Sequence, residues 1–172
     1  MNQFKELQVK EFQYNPFDLI GNEWMFISAV KEGKVNTLTA SWGGFGVMWN
    51  RNVVFVFIRQ SRFTKEFVDA ADSFSLTFFD TEKYREIMTQ LGTESGRKES
   101  KMQKAGITVE QVDGVPYFKE AKLVVICRKM SRHHLSSEGF IDETVEPQWY
   151  ADKDYHEMYI GEVVKIFEKE NE

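Results

Sequence analysis

The sequence predicts a mainly β fold, a closed or partly split antiparallel barrel with two or three helices packed outside it. Three observations predict this. Strand-like runs outnumber helical ones, most connections between them have the composition of hairpin turns, and no internal repeat or linker-like segment divides the chain. At 172 residues the chain has the size of one domain, so a single unit over residues 1–172 is expected. Hydrophobic residues make up 42% and aromatics 15%, enough apolar surface to offset the entropy of ordering the chain.

The elements follow in order. Residues 25–30 are apolar, 31–34 form a polar turn with Gly33, and 35–42 resume with β-branched residues, which predicts a hairpin. In its second strand Asn36, Leu38, Ala40 and Trp42 share one face, and Thr37, Thr39 and Ser41 share the other. Residues 52–60 are apolar on both faces, as in a strand covered by core on one side and by a helix or a partner subunit on the other. Thr64 reads as the cap of a short helix whose Phe67, Val68 and Ala71 recur at helical spacing. In residues 73–79 Phe74, Leu76 and Phe78 alternate again, as in a strand. Tyr84, Ile87, Met88 and Leu91 then mark a second helix, with Gly92 placed as its C-terminal cap. Strand-like runs return over 107–135 around the Asp113-Gly114 turn, residues 139–154 read as a long loop, and 155–167 close the chain as a last strand.

Composition removes several function classes. Formal net charge is -5, and such a field repels the nucleic-acid backbone, so no nucleic-acid partner is expected. Cys127 is the only cysteine, which excludes an internal disulfide and multi-cysteine metal sites and favours a reducing, cytoplasmic setting. Residues 1–6 lack the basic-then-apolar pattern of a signal peptide, and no apolar run is long enough for a helical membrane span. Neither export nor membrane attachment is expected.

Gly43-Gly44-Phe45-Gly46 lacks the third glycine and the following helix of a dinucleotide fingerprint, and reads as a barrel loop. Arg59-Gln60-Ser61-Arg62-Phe63-Thr64 is more informative. Two guanidiniums and two hydroxyls meet the start of a helix, a composition suited to an anion, although two solvated arginines after an edge strand account for it equally well. Arg97, Lys98 and Lys101 form a basic stretch that also suits a solvated surface. His133 and His134 point to opposite faces of a strand, so they are poorly placed to chelate one metal, and no metal is expected. His156 reads as a capped or surface histidine, and Trp24, Trp42, Trp49 and Trp149 as core or rim residues.

Four segments in this order and spacing carry a resemblance: 36–42 (NTLTASW), 59–64 (RQSRFT), 95–101, and 156–163 with its Ile160-Gly161-Glu162-Val163. Together they resemble the flavin reductase-like, FMN-binding split-barrel proteins that include the flavoredoxins, over about residues 22–167. The resemblance implies an antiparallel, Greek-key-like split barrel that binds FMN. It implies Thr39, Ala40, Ser41, Arg59, Gln60 and Arg62 as contacts, with Thr64 closing the same turn. It further implies Trp42 and Asn36 beside the ring or the ribityl chain, Lys101 as a basic partner, and His134 or His133 at the flavin edge. No protein residue is expected to be catalytic in its own right, since the flavin supplies the chemistry. The implied activity is hydride transfer from NADH or NADPH, a transient reductant, to flavin and on to a small-molecule or protein acceptor, with a homodimer as the assembly. A flavoredoxin-type carrier reduced by a protein, and a non-enzymatic small-molecule binder, remain the alternatives.

Overall fold

The computed structural model describes residues 3–93 and 106–170. Its strands are β1 (Phe4–Leu7), β2 (Met25–Lys31), β3 (Lys34–Ala40), β4 (Gly43–Met48), β5 (Arg51–Arg59), β6 (Ser73–Phe78), β7 (Val109–Val112), β8 (Val115–Phe118), β9 (Leu123–His134) and β10 (His156–Lys169). The α-helices among the described residues are α1 (Pro16–Gly21), α2 (Phe63–Ala70), α3 (Thr81–Thr93) and α4 (Val145–Trp149), four where the sequence suggests two or three. None of them is long and apolar enough to cross a membrane.

Eight strands form one antiparallel sheet in the order β3-β2-β6-β9-β10-β5-β4, and β1 adds to β10; β7 and β8 pair as a separate hairpin. β3 and β4 stand at the two ends of this order and do not pair, so the barrel is split and not closed. Three hairpins turn through pairs of residues with positive φ: Glu32-Gly33, Trp49-Asn50 and Asp113-Gly114. Two successive left-handed residues match the right-handed twist of the flanking strands. β10 serves two partners along one edge. Residues 156–162 pair with β5, residues 166–169 pair with β1, and the register against β9 shifts at Ile160/Gly161 and again at Val163/Lys165.

The main core fills the inside of the barrel. Met25, Ile27 and Ala29 of β2, Val54, Val56 and Ile58 of β5, Phe74, Leu76 and Phe78 of β6, and Tyr159 of β10 meet there. On the other face of β2, Phe26 packs with Phe79, Met88, Leu91 and Phe118, so α3 and the β7–β8 hairpin cover the barrel from outside. The helical spacing read for Tyr84, Ile87, Met88 and Leu91 is this buried stripe.

The structure corrects several local readings. Thr64 lies inside the first turn of α2, and Arg62 is the N-cap, without a side-chain cap bond. Gly92 sits within α3, where a Cβ would stand 3.2 Å from Thr39, so close helix-to-strand approach explains it better than a C-cap. The hydroxyl face of β3 is buried on the side that α3 covers, outside the barrel: Ser28 donates to Thr37 Oγ1 at 2.9 Å, and Thr39 donates to the Met88 carbonyl at 2.7 Å. The 139–154 segment contains α4. α1, which the sequence reading passed over, starts at an Asn15 cap that accepts from Phe17 N and has Pro16 at its first position.

Cys127 is fully buried, and desolvation raises its thiol far above the usual cysteine range. The folded protein is expected to resist a thiol-disulfide colorimetric reagent and to react fully once unfolded in guanidinium.

Candidate functional site

The end of β3, the Ser41-Trp42 crossover, the end of β5, the start of β10 and α4 surround a cleft of about 370 Å³. Strand alternation explains its position. Val54, Val56 and Ile58 point into the core, which turns Phe57 and Arg59 to the other face of β5. Antiparallel pairing then sets His156 directly opposite Arg59. Trp42, from the crossover, meets His156 at 4.9 Å and Trp149 of α4 at 5.1 Å between ring centroids. The result is a cleft with aromatic walls and cationic groups at its edge.

The two arginines differ. Arg59 donates to the Asp154 carbonyl at 3.0 Å and to the Trp149 carbonyl at 2.8 Å, and its guanidinium lies over the Tyr150 ring at 5.3 Å. It fastens the 149–154 segment to the barrel. Arg62 donates once, to the Gly92 carbonyl at 2.9 Å, and no other described residue takes its remaining N–H groups. It also stands at the uncapped start of α2, where backbone N–H groups and the helix dipole favour an anion. The Ser41 hydroxyl, lining the same cleft, makes no hydrogen bond to another described residue.

His156 is 7% exposed, and its Nδ1 lies 2.8 Å from the Tyr150 hydroxyl. Desolvation chiefly, then the nearby Arg59, lower its pKa to about 4, with Asp154 opposing and Arg62 adding slightly. The imidazole is therefore neutral at physiological pH.

Of the residues the sequence singles out, the fold brings Thr39, Ala40, Ser41, Trp42, Arg59 and Arg62 to one cleft. It does not bring Asn36 or Thr64 there. Both are buried, and Asn36 Nδ2 donates to Thr64 Oγ1 at 3.2 Å, tying β3 to α2 behind the site. Gln60 and His134 stand outside the lining as an exposed pair, with Gln60 Nε2 3.3 Å from His134 Nδ1 and donating to Glu157 at 2.8 Å. His133 is engaged with Ser131. Lys101 and its basic stretch lie outside the described residues.

Of the lining residues that sequence reasoning did not assign to the site, His156 and Trp149 bear most on its chemistry. His156 is a buried wall and not a surface histidine, because pairing with Arg59 across β5 and coverage by Tyr150 and Trp42 are long-range effects. Trp149 reaches the cleft through α4. Its signal was present: Thr144, Val145, Glu146 and Pro147 resemble the opening of a helix, with acid and proline in the first turn.

With this geometry in view, similarity to known proteins can be stated. The family model described as "Flavin reductase like domain" matches residues 18–172. An FMN-binding domain of a flavin reductases-like enzyme from Shewanella baltica superposes with a TM-score of 0.69 at 14% identity, covering 96% of this chain and 77% of that one. The FMN-binding protein from Thermus thermophilus with bound p-hydroxybenzaldehyde gives 0.67 at 22%, covering 96% and 79%. A flavoredoxin from Methanosarcina acetivorans gives 0.65 at 20%, covering 96% and 76%. At these identities the likeness is one of fold. No curated protein matches the sequence.

Proposed function

Because this chain belongs to the flavin reductase-like family, we propose that it is an oxidoreductase that binds FMN in the cleft between Trp42, His156 and Arg62. The observation that carries this reading is a pair of donor groups left without partners among the described residues on one cleft: Ser41 Oγ and most of the Arg62 guanidinium. The residues fit the group. An FMN phosphate carries about -1.5 to -2 charges and needs a local cationic site in a protein whose net charge is -5. In this reading Arg62 is the cation for that site, Ser41 a donor for a ribityl hydroxyl, and the Trp42 and Trp149 rings the walls against a flat ring. The volume of about 370 Å³ lies within the range of small-molecule clefts.

When bound, the flavin supplies two-electron chemistry, accepting a hydride from NADH or NADPH and returning the electrons to an acceptor. The protein's part is to hold and orient. Arg59 keeps α4 and Trp149 against Trp42, so the aromatic wall is set before the ligand arrives. Neutral His156 adds no charge to the ring side. A homodimer belongs to this reading, and Val47 and Trp49, exposed at 72% and 53% on the β4 edge and turn, are the apolar surface it would cover.

Arg62→Ala is expected to weaken FMN by roughly ten- to a hundredfold, since hydrogen bonds to charged groups contribute about 1.5–3 kcal/mol. Fluorescence titration of the variant checks this, and unchanged affinity would remove the phosphate site. Stopped-flow mixing of the FMN-loaded protein with NADH and with NADPH should bleach the flavin band. A band that bleaches only with a reduced protein donor would turn the reading to electron carriage.

A further inference from the structure

The Tyr150 hydroxyl is buried, and its one hydrogen-bond partner among the described residues is His156 Nδ1. Burial also raises its pKa, so it stays protonated. A buried O–H must donate to something, because leaving a buried donor unmet costs more than the bond itself contributes. If Nδ1 carried the imidazole proton, the Tyr150 proton would have no acceptor. If Tyr150 donates to Nδ1, both groups are satisfied and the proton of the neutral ring sits on Nε2. Nε2 itself has no partner among the described residues and is not among the enclosed unsatisfied atoms, so it is accessible, and the accessible space beside His156 is the cleft.

We propose that Tyr150 is a positioning residue: its hydroxyl fixes His156 in the tautomer whose Nε2–H opens on the cleft as a neutral donor for an acceptor atom of a flat, conjugated ligand. A carbonyl oxygen or a pyridine-type nitrogen on the ring edge is the matching chemistry, because Trp42 and Trp149 flank the histidine with aromatic faces. Tyr150 is held for the task by Phe140 stacked at 5.4 Å, by Tyr155 at 5.1 Å and by the Arg59 guanidinium. Asp154, Arg59 and Arg62 are the charged groups that bear on His156, and none of them bonds to its ring. The 149–154 segment thus both closes the cleft and sets its hydrogen-bond polarity.

The ligand part of this inference depends on the flavin reading; the tautomer part does not. Imidazole nitrogen NMR of the ligand-free protein should show the proton on Nε2 in wild type and a mixture of tautomers in Tyr150→Phe, with near-UV dichroism confirming that the variant is folded. A proton on Nδ1 in wild type overturns the proposal whatever the flavin does. Riboflavin and FMN are then titrated into two neutral replacements. His156→Gln places an amide N–H near the Nε2 position and should keep both affinities within about threefold, whereas His156→Asn reaches only the Nδ1 position and should lose roughly three- to tenfold for both ligands. A loss for FMN but not for riboflavin would put the donor at the phosphate end and overturn the ring assignment. If wild type binds neither flavin, the cofactor reading fails while the tautomer result still decides the role of Tyr150.

Discussion

Gly161→Ala is expected to destabilise the protein by about 3 kcal/mol, the upper end of what overpacking a core usually does. A Cβ at this position would stand 2.7 Å from Phe74 Cζ, 3.0 Å from Phe74 Cε1 and 3.0 Å from Cys127 Cβ. Neither neighbour can yield easily. Phe74 and Cys127 are buried, and they are cross-strand partners on β6 and β9. Gly161 also sits where the β10 register against β9 first shifts, so backbone movement there would disturb the pairing that aligns His156 with Arg59. In a chain of this size, 3 kcal/mol corresponds to a fall in Tm of roughly 6–12 °C. A thermal melt of Gly161→Ala checks it, and adding Phe74→Leu should recover part of the loss, because the shortened ring vacates the contested space. Equal melting of wild type and Gly161→Ala would mean the sheet relaxes at no cost.

The second large effect is acid sensitivity traced to one histidine. His156 has a folded-state pKa of about 4 against an ordinary value of 6.5. The unfolded chain therefore takes up a proton below pH 6.5 that the folded protein refuses until about pH 4. Stability contributed by keeping this ring neutral is fully present above 6.5 and is lost as pH falls through the window from 6.5 to 4. By linkage the loss is about 3 kcal/mol at pH 4. Asp69 and Glu162, whose carboxyls are held low by Lys65, Tyr159 and Arg132 in one case and by Arg128 and Arg51 in the other, also lose stabilising charge in acid. Those terms are common to wild type and His156→Gln. Guanidinium unfolding of both proteins at pH 7 and pH 4 isolates the histidine: the variant should lose about 3 kcal/mol less. Parallel losses would show that His156 takes up its proton without strain.

What the sequence made legible follows a physical division. Local signals held: the Gly33 and Gly114 turns, the 3.6-residue stripe of α3, and the alternation of Phe74, Leu76 and Phe78 all depend on near neighbours in the chain. Six of the residues singled out for the cofactor converge on one cleft, because two of the motifs sit on strand ends that the split barrel brings together. The failures are long-range. Nothing near Thr64 announces that its hydroxyl will be taken by Asn36, 28 positions away, or that Arg59 will be engaged by carbonyls 90 and 95 positions ahead. Tyr150 acquires its importance only when α4 is folded against β10. Short helices such as α1 and α4, with six and five residues, hold too few turns for periodicity to register, and only their capping residues betray them.

The pairing of β1 with the far half of β10 sets a timetable. Phe4 aligns with Lys169 and Leu7 with Ile166, so the fourth residue of the chain waits for the hundred and sixty-ninth before its hydrogen bonds can form. On the ribosome, the β2–β3 hairpin, β6 and α3 can assemble while the rest is still being made, but β5 stays unpaired along its β10 edge until β10 itself has been made. The strand is apolar, with Val54, Val56 and Ile58 alternating along it, and during the wait its open backbone edge is a template for any other strand. Slow folding dominated by contacts between the ends of the chain is the kinetic cost of this topology. The interval before β10 emerges is when the nascent protein most needs a chaperone.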